Sequence, residues 1–225
     1  MIKNGIILEK NIFGVKFEVD LVPKSNKTSR PALNMTPTSI TIHETGNYTQ
    51  SADARMHTKY VDNTKKYVSW HFTVDDNVII QELPIKENAW HAGDGARGKG
   101  NRTSIAIEIC VNKGIDFEKA KDNAAKLVNY LKENVDTIGN VYQHNHWSGK
   151  DCPKRIRKSG WNKFLKRIED NKPVEEKVYP VADWFQESWR WAVENGINDG
   201  IVQNPIEPQV VEMLYRYDKY LKGSE

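Results

Sequence analysis

Between residues 104 and 144 the sequence changes its hydrophobic period twice, and this constrains the fold more than any other feature. Residues 104–110 alternate, with Ile105, Ile107 and Ile109 on one face and Ala106, Glu108 and Cys110 on the other. Phe117, Ala120, Ala124, Leu127, Val128, Leu131 and Val135 then recur at helical spacing behind Asp116, a suitable N-cap. Residues 141–144 return to a short strand. Upstream, Val15, Phe17, Val19 and Leu21 alternate with charged residues. Residues 39–43 turn Ile40 and Ile42 to one face and Thr41 and His43 to the other. The β-rich runs 70–74 and 78–83 flank Asp75-Asp76-Asn77, a hairpin signal. Shorter helices are expected at 52–61 and 161–168. Such interleaving predicts an α/β fold, a central mixed β-sheet flanked by helices.

Residues 169–177 (EDNKPVEEK) are charged, contain Pro173 and hold only Val174 as a large apolar residue. They divide the chain into a body, 1–170, a linker, 171–177, and a small C-terminal domain, 178–225. That last part is expected to be all-helical. Asp183-Trp184-Phe185-Gln186 has capping-box form, with Phe185, Trp189, Ala192 and Val193 at helical spacing behind it. Gly196 is placed to end this helix. Pro208 is placed to start the next, with Val210, Leu214, Tyr217 and Leu221 on one face.

Charge is uneven. The 225-residue chain carries a formal +3, yet residues 178–225 hold four basic and eight acidic residues, so the body carries +7 and the C-terminal part −4. A basic body favours a polyanion, and a bacterial wall qualifies as well as nucleic acid does. No nucleic-acid-binding motif is legible, so no nucleic-acid partner is expected. Mean hydropathy is −0.70 and no apolar run approaches a membrane span, so no membrane partner is expected either. The first twenty residues lack the apolar stretch of a secretory signal.

Six histidines and two cysteines bound the chemistry. Two cysteines make at most one disulfide, so this is no disulfide scaffold. His43 closes one expected strand. His144 closes another, and Cys152 follows it after seven intervening residues. Two neutral imidazoles and one thiolate form a known catalytic zinc set that leaves the fourth tetrahedral position open. Spacing alone does not select this trio: His71, His91 or His146 could replace one member, and the His144-x-His146 pair competes directly.

Several runs resemble the type-2 N-acetylmuramoyl-L-alanine amidases, the superfamily of phage endolysins and peptidoglycan recognition proteins. They are Ile40-Thr41-Ile42-His43-Glu44-Thr45, Ser69-Trp70-His71-Phe72, Trp90-His91-Ala92-Gly93-Asp94-Gly95, Asn101 to Ile109, and His144 to Pro153. Five motifs agree in order over roughly residues 20–165. The resemblance implies zinc (Zn2+) held by His43, His144 and Cys152, with Glu108 as the active-site carboxylate and Lys150 as the lysine before the ligand cysteine. It implies bacterial peptidoglycan as substrate, cut between N-acetylmuramic acid and L-alanine of the stem peptide. One departure stands out: Trp70 occupies a position where some members carry tyrosine, and an indole cannot donate an O–H. The loop 90–100, with four glycines, lacks the ending of a phosphate-binding loop and reads as a substrate-side loop.

The C-terminal segment, with Trp184, Trp189 and Trp191, partly resembles the S-layer-homology type of wall-associated segment, in one copy. That implies a cell-wall polymer as its partner; a homodimer contact is the alternative. Together these features predict an endolysin, made in the host cytoplasm and acting on the wall after release, with secretion by a non-classical route as the alternative. The competing function is a non-catalytic peptidoglycan-recognition protein, from which the presence of Cys152 separates this chain. A zinc hydrolase acting on another amide is a third reading.

Overall fold

The computed structural model describes residues 1–172, 186–194 and 207–222. The chain divides into two compact units, Met1–Pro173 and Val174–Glu225. In the first, a small ribbon of β1 (Ile2–Lys3) and β2 (Ile6–Ile7) precedes β3 (Asn11–Ile12), β4 (Val15–Val19) and β5 (Ser39–Glu44). Helix α1 (Ala54–Asn63), the hairpin β6 (Phe72–Val74) and β7 (Val78–Gln81), and the short α2 (Lys99–Thr103) follow. The chain then forms β8 (Ser104–Ile109), α3 (Phe117–Asn134) and β9 (Asn140–Gln143). It closes with α4 (Asn145–Ser148), α5 (Lys154–Ser159) and α6 (Trp161–Asp170).

Seven strands form one mixed sheet in the order β3-β4-β7-β6-β8-β5-β9. The pairs β3/β4 and β6/β7 are antiparallel; β4/β7, β6/β8, β8/β5 and β5/β9 are parallel. The expected mixed sheet flanked by helices is therefore what forms. Helix α3 starts where the sequence places it, with the Asp116 side chain accepting from the Lys119 backbone N–H at 3.0 Å.

The parity of β5 and β8 sorts the two faces of the sheet. Ile40, Ile42, Ile105, Ile107 and Ile109 are fully buried against Ala120, Ala124, Leu127, Val128 and Leu131 of α3 and Phe164 of α6. Burying each such side chain stabilises the fold by about 1.5–3 kcal/mol. The opposite face carries Thr41, His43, Ala106 and Glu108, over a smaller cluster of Val61, Trp70, Leu83 and Ala106. One face is thus spent on packing and the other is available for chemistry.

Several strands end earlier or start later than the sequence predicts, β6 and β9 next to the histidines among them. The run from Trp70 is regular strand only from Phe72: the His71 N–H still donates to the Ala106 carbonyl at 3.1 Å, but the return N–H of Ala106 donates to the His71 ring, at Nδ1, 2.9 Å away. The run to His144 ends at Gln143, and His144 starts the turn into α4 while its N–H still donates to the Ile42 carbonyl.

In the second unit, α7 (Gln186–Glu194) and α8 (Glu207–Leu221) pack Trp189, Ala192 and Val211 together, with Trp191 half-buried. Where the expected face of α8 can be compared, the buried residues lie one position on from it; the Tyr217 and Leu221 side chains fall outside the described residues. Val211 and Tyr215 are buried, whereas Val210 and Leu214 are 47% and 38% exposed. The expected face is the more apolar by sequence, so contact with α7 and not periodicity selected the other: Val211 packs with Trp189 and Ala192, and Tyr215 against Trp191. The expected capping box at Asp183, the helix stop at Gly196 and most of the expected linker lie outside the described residues. Among the described residues no helix is long and apolar enough to cross a membrane.

Candidate metal centre

Three elements deliver three soft or borderline donors to one point. Strand β5 ends on His43, the turn from β9 into α4 carries His144, and the loop before α5 carries Cys152. All three are buried, and their ligand atoms lie within 4.8 Å of one another. Cys152 Sγ is 3.9 Å from His43 Nδ1, and the rings of His43 and His144 meet at 4.6 Å between centroids. Local bonds lock the loop. Asn145 N–H donates to the Cys152 carbonyl at 3.0 Å, and its side-chain amide donates to the carbonyls of Gly149 and Lys150. Gly149 sits at φ 74°, a left-handed conformation that glycine adopts without strain.

The donors fit a metal ion. Both ring nitrogens of His144 are buried with no protein partner. Burial holds His43 well below the ordinary imidazole value and His144 at about 4, so their lone pairs are free. Burial likewise pushes the Cys152 thiol up to about 12. A divalent cation would reverse that and draw off the proton. Two imidazoles and one thiolate are a zinc-type set, spaced as bonds of about 2.0–2.3 Å can span.

Glu108 stands beside these donors. It is the Cα partner of His43 across β8 and β5, and its Oε1 lies 3.8 Å from His43 Nδ1. The ring is neutral, so this contact is not an ion pair. Burial raises the Glu108 carboxyl to about 8 against the pull of Lys150, and its Oε2 is buried without a partner. Lys150 is exposed and lies where two clefts meet. One, of about 710 Å3, is bordered by Tyr67, Trp90, His91, His144 and Lys150. The other, of about 320 Å3, is bordered by Tyr60, Trp70, Glu108 and Lys150. The structure therefore gathers all five residues singled out in the sequence.

The other histidines separate cleanly. His71 is a satisfied core residue, with Nε2 against the Glu87 carbonyl at 2.8 Å. His146 is exposed and stacks on Tyr142, with centroids 4.2 Å apart. His57 packs on Trp70. His91 bonds His43 rather than joining the donors: its Nδ1 is 3.0 Å from His43 Nε2. Cys110 is free and packs with Ala54, Val78 and Ile80. Trp70 borders the second cleft, but its indole N–H is occupied by Thr73 Oγ1 at 2.6 Å.

Two residues escape any reading of the sequence by motif chemistry. Glu44 accepts from the N–H groups of Arg155 and Ile156, at 2.9 and 2.7 Å, and so caps α5 just beyond Cys152. Asn101 accepts from the N–H groups of His91 and Ala92. Their only sequence signal is membership of the runs Ile40–Thr45 and Asn101–Ile109, which gives neither of them a role.

A mixed sheet that presents a buried His-His-Cys set beside a carboxylic acid is the frame of a metal-site protein. Residues 33–155 match the N-acetylmuramoyl-L-alanine amidase family Amidase_2, and the chain belongs to that family. It is 48% identical over 167 residues to the N-acetylmuramoyl-L-alanine amidase CwlH of Bacillus subtilis, covering 74% of this chain and 66% of that one. It is 47% identical to the amidase XlyA of the same organism, over 64% of this chain and 48% of that one. The chain thus spans between about half and two thirds of these relatives' length. The solved catalytic domain of XlyA matches with a TM-score of 0.65 at 46% identity, over 68% of this chain and 99% of that one. The structure of PlyL matches with a TM-score of 0.63 at 38% identity, over 68% and 97%.

Proposed function

We propose that this chain is a zinc-dependent peptidoglycan hydrolase of the endolysin type. It would cut the amide between the lactyl group of N-acetylmuramic acid and L-alanine of the stem peptide. The observation that carries this reading is the juxtaposition of Glu108 with the three donors, beside two clefts that share Lys150, one lined by His144 and the other by Glu108.

Zinc, when held by His43, His144 and Cys152, supplies a Lewis acid and a lowered pKa for water. Glu108 accepts the proton of the attacking water and passes it to the departing amine of L-alanine, which leaves uncharged. Burial raises this carboxyl to about 8, which favours handing the proton on to the amine, and a bound cation would lower it so that the carboxylate can first take the proton from water. Lys150 places an ammonium where charge develops on the carbonyl oxygen. Buried walls of Trp70 and His91 keep bulk water from the far sides of the clefts.

The test is digestion of purified wall. Free amino groups on L-alanine should rise with no new reducing sugar ends; chelation should stop the reaction and zinc should restore it. Reducing ends without new amines would overturn the reading.

For the second unit we propose attachment to a wall polymer, in line with the S-layer-homology resemblance, with self-association as the other outcome. Support comes from an exposed apolar strip on α8, Val210, Met213 and Leu214. Replacing the three by serine in the full chain should lower retention on walls and leave turnover of a soluble muropeptide unchanged. Unchanged retention with a loss of dimer would favour self-association.

A further inference from the structure

The two nitrogens of a metal-binding imidazole are not equivalent: one holds the ion, and the hydrogen bond made by the other decides which one it is. In His43 that bond goes to a second histidine. His43 Nε2 lies 3.0 Å from His91 Nδ1, with the rings near perpendicular at 85° and 5.0 Å between centroids. One of these two nitrogens must donate. The donor side of His43 decides which. His43 Nδ1, not Nε2, faces Cys152 Sγ at 3.9 Å and Glu108 Oε1 at 3.8 Å, so a metal ion gathered by the three donors takes the Nδ1 lone pair and the ring proton sits on Nε2. His91 Nε2 is buried without a partner, which leaves His91 Nδ1 as the one contact of that ring with the metal ligand. His91 then carries its proton on Nε2, its Nδ1 accepts, and His43 donates from Nε2.

We propose that His91 is a positioning residue that fixes His43 as the Nε2–H tautomer, leaving the Nδ1 lone pair open on the side of Cys152 and Glu108. The opposite tautomer would put an N–H between His43 and Cys152 Sγ, 3.9 Å away, where a metal ion has to enter.

His91 is itself held. Asn101 Oδ1 accepts from the backbone N–H of His91 at 2.8 Å and of Ala92 at 2.9 Å. Asp94 accepts from the N–H groups of Gly100 and Asn101, which closes the loop on itself. A Cβ at Gly100 would come within 2.4 Å of the Ala92 Cβ, so the loop closes this tightly only with glycine there. The loop read from sequence as a substrate-side element is thus also a clamp on the residue behind a metal ligand.

This inference rests on the metal-site reading above, and the experiment separates the two. In the zinc-loaded full chain, long-range proton–nitrogen NMR of the histidine rings should show His43 bound through Nδ1 and protonated at Nε2. Binding of His43 through Nε2 overturns the proposal, whereas a parent chain that takes up no zinc overturns the metal-site reading itself. Among variants, His91→Phe should weaken zinc binding about 10–100-fold and shift the visible bands of the cobalt-substituted protein. His91→Gln, which can still accept, should restore most of the affinity. Parent-like zinc affinity and cobalt spectrum in a folded His91→Phe protein would overturn the proposal. Should His91→Phe not fold, the ring-nitrogen spectrum of the parent decides.

Discussion

Glu108 and His43 are Cα partners on adjacent parallel strands, and the carboxyl of one stands 3.8 Å from Nδ1 of the other. This register places an acid at the metal donors without using it as one of them. Glu108→Gln keeps the shape and removes the proton acceptor. Zinc content and melting temperature should stay at the parent values, while kcat on purified wall falls about 10²–10⁴-fold. A variant with parent turnover would remove Glu108 from the proton transfer.

Lys150 is the cation that both clefts share. Lys150→Met preserves much of its length and deletes its charge. Turnover should fall about 10²–10³-fold with zinc affinity little changed, as measured by single-turnover kinetics and chelator competition. Loss of zinc instead of rate would assign Lys150 to holding the loop.

Glu44 links strand β5 to helix α5 across 111 residues of sequence through two charged hydrogen bonds. Glu44→Ala orphans two N–H groups at the start of α5. Urea denaturation should report a loss of about 1–3 kcal/mol. Because α5 begins two residues after Cys152, zinc affinity should fall in parallel. Glu44→Ala with parent stability would show that water replaces the cap.

Glu82 is a fully buried acid. Thr73 donates to its Oε1, which also lies 3.1 Å from the Thr58 hydroxyl, and its Oε2 has no partner. Burial therefore holds its carboxyl well above the ordinary 4.5. The sign follows from the proton: the folded chain keeps it, while the unfolded chain gives it up above 4.5. The folded state therefore loses stability as pH rises above that value, by up to about 1.4 kcal/mol per pH unit, until the folded group itself titrates. In the metal-free protein Glu82→Gln should remove this slope between pH 5 and 7, measured as the difference in urea stability between variant and parent. Equal slopes would mean that Glu82 is ionised in the fold.

Much of the frame was legible because side-chain parity in a strand is a local property. Ile105, Ile107 and Ile109 face the α3 layer and Glu108 faces away, as alternation alone requires. The start of α3 was legible for the same kind of reason, since Asp116 caps within its own turn. The two-residue strands β1, β2 and β3 carry no periodic signal, being shorter than any period. On α8 periodicity favours the face of Val210 and Leu214, and contact with Trp189 and Trp191 of α7 buries Val211 and Tyr215 instead.

By itself the sequence determined which residue types are present, which face each occupies within its own element, and a strand–helix alternation that builds a mixed sheet. Spacing left open which of six histidines meet Cys152, and only tertiary structure shows why they are His43 and His144. His71 spends both ring nitrogens on backbone partners, His146 lies on the surface, and His91 supports His43 from behind. Those outcomes depend on the register of β5 against β8 and β9 and on loops closing across more than a hundred residues. Such pairings are set by the packing of the whole sheet, and no local period encodes them.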